Sequence, residues 1–441
     1  MATMPQTTQT PYSFVSGKNW KLSLAELTSF LEARNTTFEV SELSRTFFTV
    51  KTKNILSASV IDDLGGILKI SDVAAFLPTK QVTAAFINED KQAKKDIQES
   101  LPLEAIASKM PSASSGKAVF GVSVYWAEPP FKAAAKAIQR FLGSRLKDEL
   151  KAQGKKARFM GFPRDREHPQ LTGVEVLKQG LVENNSEVLL CIGKHLTSIG
   201  STLAVHNPFE FQKRDLDKPV QRKIFAISPR VAKIMVNLSH CTPGKVFLDP
   251  FCGVGTFLQE ALLAKAKVIG VDINRWCVDA AQKNIEWLKR EYSLEDTDYA
   301  VLQGDSRRLT SKIRDEIDCI ATEPDLGPAL LQIPTAPYAT KIVDNLKSLY
   351  SDFLREAHEI LKADGFLVIV APYVKTRSGK GVTMNLQQIA LELGFKPAKP
   401  FQKTVFAEDS GAALSLREMS SFIDVDEQHI IGREICVFQK A

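Results

Sequence analysis

The clearest pattern of hydrophobic and polar positions lies in the C-terminal half of the chain, from Lys245 onward. Short apolar runs end in polar or glycine-rich loops, and each loop leads into a segment with apolar residues at helical spacing. The segments are KVFLDPF, GVGTFLQEALLAKA, KVIGVDIN, RWCVDAAQKNIEWLKREY, YAVLQGDS, IDCIATEPD, LYSDFLREAHEILKADG and FLVIVAPY. This alternation predicts an α/β fold with a doubly wound parallel sheet.

The first 200 residues mix helices and strands less regularly. Residues 22–35 place apolar side chains at helical spacing, with Ser23 as the expected N-cap. Residues 81–115 predict a helix followed by a linker, and residues 117–126 predict a strand rich in β-branched and aromatic residues. Residues 131–150 predict a long helix. The N-terminal half is therefore expected to be α+β.

Charge adds a local feature to this picture. The 441 residues include 57 Lys and Arg against 51 Asp and Glu, a net charge of +6 that is too small to indicate a partner. Between Lys132 and Arg158, however, nine basic residues stand against two acidic ones. Lys132, Lys136 and Arg140 recur every fourth residue along the predicted helix. Such a face either contacts nucleic-acid phosphates or is an ordinary solvated helix surface.

The cysteines and the N-terminus indicate where the protein works. The six cysteines lie far apart and form no C-x-x-C pair, which favours buried free thiols over a zinc ribbon or a redox motif. The first residues do not form a signal peptide, and no run approaches the roughly 18 apolar residues of a membrane span. We therefore expect a soluble cytoplasmic protein without a membrane partner.

Candidate binding residues follow three successive predicted strands. The loop at residues 249–257, DPFCGVGTF, contains Gly253 and Gly255, which allow a tight turn and a close approach to a ligand. Asp272 ends the second strand, where a carboxylate can accept both hydroxyls of a ribose. Asp305 ends the third strand and can accept an adenine amino group. Each carboxylate alone could equally cap a helix or lie in a solvated loop, but the series favours a nucleoside site.

The order of these motifs resembles that of class I S-adenosylmethionine-dependent methyltransferases. Leu258 stands where the third glycine of a dinucleotide-binding loop would be, which disfavours NAD. D-P-F-C-G-V-G-T is similar to the form found in methyltransferases that modify exocyclic nucleobase amines. The resemblance implies a Rossmann-like fold with S-adenosylmethionine as cofactor. Asp249 would hold the methionyl amine, and Ile273 would pack beside the adenine.

The same family has a [DN]-P-P-[YF] motif after the fourth strand, and here the matching residues are Glu323, Pro324, Asp325 and Leu326. The resemblance implies that Glu323 and the carbonyl of Pro324 accept hydrogen bonds from the target amine. Asp325 would accept a proton after transfer or cap the loop. Leu326 replaces the aromatic residue that would stack on the base. Three aromatic residues are alternatives for that role: Tyr338, Tyr373 and Phe251.

Two further stretches are similar to THUMP-containing tRNA guanine-N2-methyltransferases, above all the archaeal and eukaryotic enzymes that act on guanosine 10. They are GKNWKLSLAELTSFL near the N-terminus and FQKRDLDKPVQRKIFAISPRVAKIMVNLS before the α/β region. The implied domains are a ferredoxin-like domain at residues 12–80, a THUMP module at 81–200, a connector at 201–240 and a methyltransferase domain at 241–441.

The family resemblance also implies partners. The expected substrate is tRNA, and a small zinc-binding activator subunit is a further expected partner. Because the basic helix lies in the expected THUMP module, Lys132, Lys136 and Arg140 are expected to bind RNA. Two alternatives remain open: a methyltransferase for another exocyclic amine in rRNA or DNA, and a catalytically inactive RNA-binding relative.

Overall fold

The computed structural model describes residues 9–112, 117–161, 169–222, 227–294, 296–407, 411–426 and 428–441. Most strands belong to two large sheets, one in each half of the chain. None of the helices in these ranges has the length and apolar character needed to cross a membrane. All six cysteines are buried and free, as expected from their spacing.

The N-terminal half contains nine described strands and six helices. The strands are β1 (Thr10–Ser16), β2 (Phe38–Leu43), β3 (Phe47–Thr52), β4 (Ile67–Asp72), β5 (Ala75–Pro78), β6 (Ala118–Trp126), β7 (Ala157–Phe159), β8 (Glu187–Ile192) and β9 (Leu196–Val205). The helices are α1 (Trp20–Ala33), α2 (Thr79–Phe86), α3 (Lys91–Ser100), α4 (Leu103–Lys109), α5 (Pro130–Ala152) and α6 (Gly173–Lys178), with a 3₁₀ turn at Ala58–Asp63.

The C-terminal half begins with α7 (Pro208–Gln212), a π-helical turn (Lys213–Asp217) and α8 (Pro229–Leu238). Its strands are β10 (Val246–Asp249), β11 (Lys267–Asp272), β12 (Tyr299–Gln303), β13 (Ile317–Thr322), β14 (Leu361–Lys375), β15 (Gly381–Val382), β16 (Phe395–Pro397), β17 (Val405–Phe406), β18 (Ser421–Asp424) and β19 (Ile431–Lys440). Its remaining helices are α9 (Thr256–Leu263), α10 (Arg275–Glu291), α11 (Ala336–Ile360), α12 (Leu386–Glu392) and α13 (Gly411–Arg417), with a 3₁₀ turn at Ser306–Ser311.

The C-terminal sheet has the described strand order β12–β11–β10–β13–β14–β19–β16. The first five strands are parallel, and β19 runs antiparallel between β14 and β16. The central strands read as nearly continuous apolar runs because helices cover both faces of a parallel sheet. The predicted doubly wound α/β fold is therefore confirmed.

The N-terminal sheet is mostly antiparallel and is built from strands that lie between Thr10 and Val205, in the order β2–β3–β1–β4–β9–β8–β6–β7. Strand β17 of the C-terminal half adds to it in parallel beside β2, with Val405 opposite Glu39. One core cluster continues from Phe14 and Leu24 to Phe247 and Phe257. The two halves thus share both a sheet and a core.

Two local predictions differ from the structure. Helix α1 begins at Trp20, and its N-cap is Asn19, whose side chain accepts from the Leu22 amide at 3.3 Å; Ser23 lies inside the helix. The segment expected to form one helix and a linker forms the three short helices α2, α3 and α4. Part of the expected linker, residues 113–116, lies outside the described residues.

Candidate active site

The candidate site lies where the order of the parallel strands reverses. Strand β10 has β11 on one side and β13 on the other, and the crevice at the carboxyl ends of such strands is the usual ligand site of open α/β sheets. Asp249 ends β10, and Thr322 ends β13. The Thr322 hydroxyl donates to Asp249 Oδ1 at 2.7 Å, and the Phe251 amide donates to the same oxygen at 3.1 Å.

The second oxygen of Asp249 is left without a donor. The residue is 1% exposed, and Oδ2 contacts no hydrogen-bond partner within the described parts of the chain. Burial raises the pKa of Asp249 to about 7, against the hydrogen bonds from Thr322 and Phe251, and the charges of Asp272 and Glu323 raise it further. A buried, unpaired carboxylate oxygen is suited to a ligand that brings a positive charge or an N–H group.

The glycine loop has the backbone shape that the sequence predicted. Gly253 and Gly255 have φ values of +51° and +89°, which glycine adopts without strain. Gly255 is also the N-cap of α9, and a Cβ there would lie 3.2 Å from the Cβ of Ala281. The Gly253 amide donates to Asp272 Oδ2 at 2.9 Å, and the Asn274 amide donates to Oδ1 at 2.8 Å. Asp272 therefore joins the loop to the end of β11.

Two other expected cofactor residues lie at the same edge of the sheet. Ile273 is 67% exposed directly after Asp272, as a side chain that packs on a ligand would be before binding. Asp305 follows β12, and its carboxylate is paired with Arg307 at 2.7 Å. Hydrogen bonds from Arg307 lower the pKa of Asp305, although its slight burial opposes the change. Sequence reasoning did not include this arginine.

Glu323 is paired with an arginine from the far end of the chain. Arg433 of β19 donates from Nε to Glu323 Oε2 and from Nη2 to Oε1, the second at 3.2 Å. The two side chains are 10% and 19% exposed. Burial would lower the pKa of Arg433, but the hydrogen bonds and charge of Glu323 raise it. The only sequence signal for Arg433 is a basic residue within the apolar strand IGREICVF.

Asp325 is the one residue of the motif after β13 that lines a cavity of about 490 Å³, among the described residues. Pro324 is buried, whereas Asp325 is exposed and its Oδ1 accepts from the Gly327 amide at 2.9 Å. The Tyr350 hydroxyl anchors this loop by donating a hydrogen bond to the carbonyl oxygen of Asp325 at 3.1 Å. Asp325 lines the cavity together with Tyr338, which is 50% exposed.

The positions of the three aromatic residues expected as alternatives for stacking on the base differ. Phe251 packs edge-on against Phe353 with ring centroids 5.3 Å apart, and Tyr373 packs against Gly381 of β15. Neither residue lines the cavity beside Asp325, whereas Tyr338 does. A cavity of this size is in the range of small-ligand sites, and Tyr338 presents its ring there.

The basic residues of α5 lie in the other half of the molecule. Lys132 and Arg140 are exposed and Lys136 is half-buried, on a helix that packs against β6 through residues such as Ile138. Lys155, one of the nine cations counted in this region, instead donates to the carbonyl oxygens of Ala107, Ser108 and Met110 at the end of α4. It therefore stabilises a helix terminus.

Residues 219–379 match the RMKL-like methyltransferase domain, UPF0020. The structure of TrmN from Thermus thermophilus has a TM-score of 0.51 and 18% identity, covering 98% of this chain and all of that one, which supports the fold. Over residues 219–379 the chain is thus similar to the methyltransferase domains of class I. S-adenosylmethionine is the cofactor of this class. The unpaired oxygen of Asp249 fits the ammonium group of S-adenosylmethionine. The glycine loop fits a ligand that the backbone approaches closely.

Curated relatives also match part of the chain. The tRNA (guanine(10)-N2)-dimethyltransferase of Methanothermobacter thermautotrophicus is 33% identical over 159 residues, covering 35% of this chain and 42% of that protein. The protein of the same name from Pyrococcus abyssi is 30% identical over 208 residues, covering 46% and 57%. The chain thus spans about half the length of the curated relatives it matches.

Proposed function

We propose that this protein is an S-adenosylmethionine-dependent RNA methyltransferase that methylates an exocyclic base amine, N2 of guanosine 10 in tRNA. The observation that carries the proposal is the position of Asp249 and Glu323 at the carboxyl ends of adjacent parallel strands, β10 and β13. The carboxylate that binds the cofactor and the acceptor for the amine would then lie together where the order of the parallel strands reverses. Two of the relatives are tRNA (guanine(10)-N2)-dimethyltransferases, which supports guanosine 10 as the target.

The cofactor-binding residues have separate tasks in this proposal. S-adenosylmethionine supplies an electrophilic methyl group when bound. Asp249 Oδ2 would accept from its ammonium group, and Asp272 would accept from the ribose hydroxyls. Gly253 and Gly255 would let the backbone approach the ligand, and Ile273 would cover one face of the adenine. Asp305 would receive the adenine amino group beside its existing pair with Arg307.

The amine is positioned by acceptors after β13. Glu323 keeps lone pairs beyond those that Arg433 uses, and the Pro324 carbonyl supplies a second acceptor. Hydrogen bonds to both would direct the nitrogen lone pair toward the methyl group. Tyr338 would stack on the base in the cavity, and Asp325, exposed at its edge, would accept the proton that the amine loses.

The domain division and the partners belong to the same proposal. Residues 12–80 and 81–200 would form the ferredoxin-like domain and the THUMP module, with residues 201–240 as connector and 241–441 as the methyltransferase domain. Lys132, Lys136 and Arg140 would contact tRNA phosphates. A cytoplasmic location and a small zinc-binding activator subunit rest on the family resemblance.

Methyl transfer to unmodified tRNA with labelled cofactor tests the function. After digestion to nucleosides, the label should appear as N2-methylguanosine, and a tRNA with inosine at position 10 should accept none because inosine lacks the amine. A different labelled nucleoside from rRNA or DNA would favour the alternative amine. Cofactor binding with no labelling of any RNA or DNA would favour an inactive RNA-binding relative.

Glu323 has its own test within that assay. Glu323→Gln should lower methyl transfer by about a hundredfold or more while cofactor affinity changes less than about twofold, since Glu323 acts on the amine and Asp249 on the cofactor. Glu316→Gln, at an exposed glutamate just before β13, is the matched control and should keep full activity. Full turnover by Glu323→Gln would remove Glu323 from the mechanism.

A further inference from the structure

Residues 325–335, in the loop that joins β13 to α11, carry an apolar tip. Leu331 is 100% exposed, and Ile333 is 43% exposed two residues later. Isolated exposed leucines are common. This pair, however, lies between Asp325 and α11, the helix that contains Tyr338. The apolar tip therefore lies on the segment that borders the proposed base cavity.

Both sides of the tip are held in place. On one side, the Tyr350 hydroxyl contacts the Asp325 carbonyl, and Leu330 packs against the core beneath β13 and α11. On the other side, the Arg377 amide donates to the Pro334 carbonyl at 3.0 Å. Nε of Arg377 also donates to the Ile333 carbonyl at 2.9 Å. Because the loop is anchored on both sides, presenting Leu331 to a partner costs little further ordering entropy.

The surroundings of the tip are basic. Lys341 lines the cavity, and Arg377 and Lys380 are exposed on the segment that anchors the loop. Asp325 is the carboxylate of the cavity itself. An apolar tip among cations is complementary to a stack of bases bordered by phosphates, whereas an apolar protein partner would gain nothing from the lysines.

We propose that Leu331, backed by Ile333, is a wedge that enters the RNA stack and fills the space vacated when the target purine turns into the Asp325–Tyr338 cavity. The inference rests on the proposed function and adds a positioning residue to it. Removing a base from a stack costs free energy, and an apolar side chain that takes its place recovers part of that cost. Leu331 would lower the barrier to base capture without touching the reacting atoms.

The first test compares two substrates. Leu331→Ser should lower kcat/KM for folded tRNA about tenfold or more, but should change transfer to a short single-stranded RNA with the same target nucleotide less than about twofold. Leu391→Ser replaces another exposed leucine, on α12, and should affect neither substrate. Because Leu331 is fully exposed, its replacement should leave the melting temperature unchanged. Equal losses on both substrates would overturn the wedge.

The second test does not depend on methyl transfer. A tRNA with fluorescent 2-aminopurine at position 10 should brighten when the protein binds, because the base leaves its stack, and Leu331→Ser should remove this change while still binding. If the signal depends on Leu331 but no RNA is methylated, the wedge stands and the proposed activity fails. An unchanged signal with Leu331→Ser, no signal with the wild type, or a Leu331-dependent oligomer of the protein alone would each overturn the wedge.

Discussion

At the scale of single residues, the site is defined by two carboxylates with opposite surroundings. Asp249 is buried with one oxygen unpaired, whereas both oxygens of Glu323 are held by Arg433. The first arrangement leaves a position for a cation from outside, and the second supplies the cation from within the chain. Both carboxylates lie at the end of a parallel strand, but their surroundings differ. Asp249 is therefore suited to binding a cationic ligand, and Glu323 is suited to positioning a substrate group.

The pKa of about 7 at Asp249 should make cofactor binding sensitive to pH. In the proposed function the ammonium group of the cofactor would bind the ionised carboxylate, so below pH 7 Asp249 would first have to release a proton. Affinity should therefore rise up to about tenfold per pH unit from pH 5.5 to pH 7 and level off by pH 7.5. Titration calorimetry across this range measures it, with Asp249→Asn expected to bind weakly and without this dependence. Equal wild-type affinity at pH 5.5 and pH 7.5 would contradict the assignment.

The pair of Glu323 and Arg433 can be tested apart from catalysis. Glu323→Leu leaves the Arg433 guanidinium largely buried without its carboxylate and should lower the free energy of unfolding by about 2–3 kcal/mol. Adding Arg433→Met should restore most of that stability, since an apolar pair replaces an ion pair, but should not restore methyl transfer. Urea denaturation and the transfer assay give the two readouts. Recovery of activity in the double variant would show that neither charge is needed.

At the scale of elements, sequence predicted the parts that depend on local pattern. The strands and helices around Asp249 and Asp272 follow from apolar periodicity, and parallel strands bring their carboxyl ends to one edge. The pairing of Glu323 with Arg433 depends on β19 lying antiparallel beside β14, a contact between distant parts of the chain that no local pattern encodes. The N-cap at Asn19 was missed because Ser23 has the same capping chemistry four residues later.

Helix α5 is the element proposed to hold the RNA backbone. Replacing Lys132, Lys136 and Arg140 with Gln should weaken tRNA binding. It should also reduce the slope of log affinity against log salt by about 2, because a protein with fewer phosphate contacts releases fewer counterions from the tRNA when it binds. The control replaces Lys283, Arg290 and Arg314, three exposed cations of the C-terminal half, and changes net charge equally. If both triple variants lose affinity alike, the effect is one of overall charge.

At the scale of the whole molecule, a buried glutamate joins the two halves. Glu26 of α1 accepts from the Gly65 and Gly66 amides at 2.7 Å each and from the Asn237 side chain of α8 at 2.8 Å. Arg230 of α8 also donates to the Gly65 carbonyl at 2.7 Å. Burial raises the pKa of Glu26, and these hydrogen bonds oppose the rise. Together with the shared core, these contacts join the N-terminal and C-terminal halves, and we expect the two halves to unfold as one cooperative unit.

Removing this carboxylate should destabilise both halves together. Glu26→Ala leaves buried donors on three residues unpaired and should lower the free energy of unfolding by about 3–5 kcal/mol. Lys21→Ala, at an exposed position of the same helix, should cost less than about 0.5 kcal/mol. Urea denaturation followed by tryptophan fluorescence and by circular dichroism should give one coincident transition. Two separate transitions in the wild type would contradict the cooperative unfolding of the two halves.

Strand β17 also has a consequence for the order in which the protein is made. The strands of the N-terminal sheet up to β9 leave the ribosome first, but the outer edge of β2 is covered only when Val405 and Phe406 have also been made. Until then the nascent sheet carries an open edge to which another polypeptide can pair. Chains that stop before this strand would therefore be prone to aggregate, and only a chain that extends past Phe406 can close the sheet.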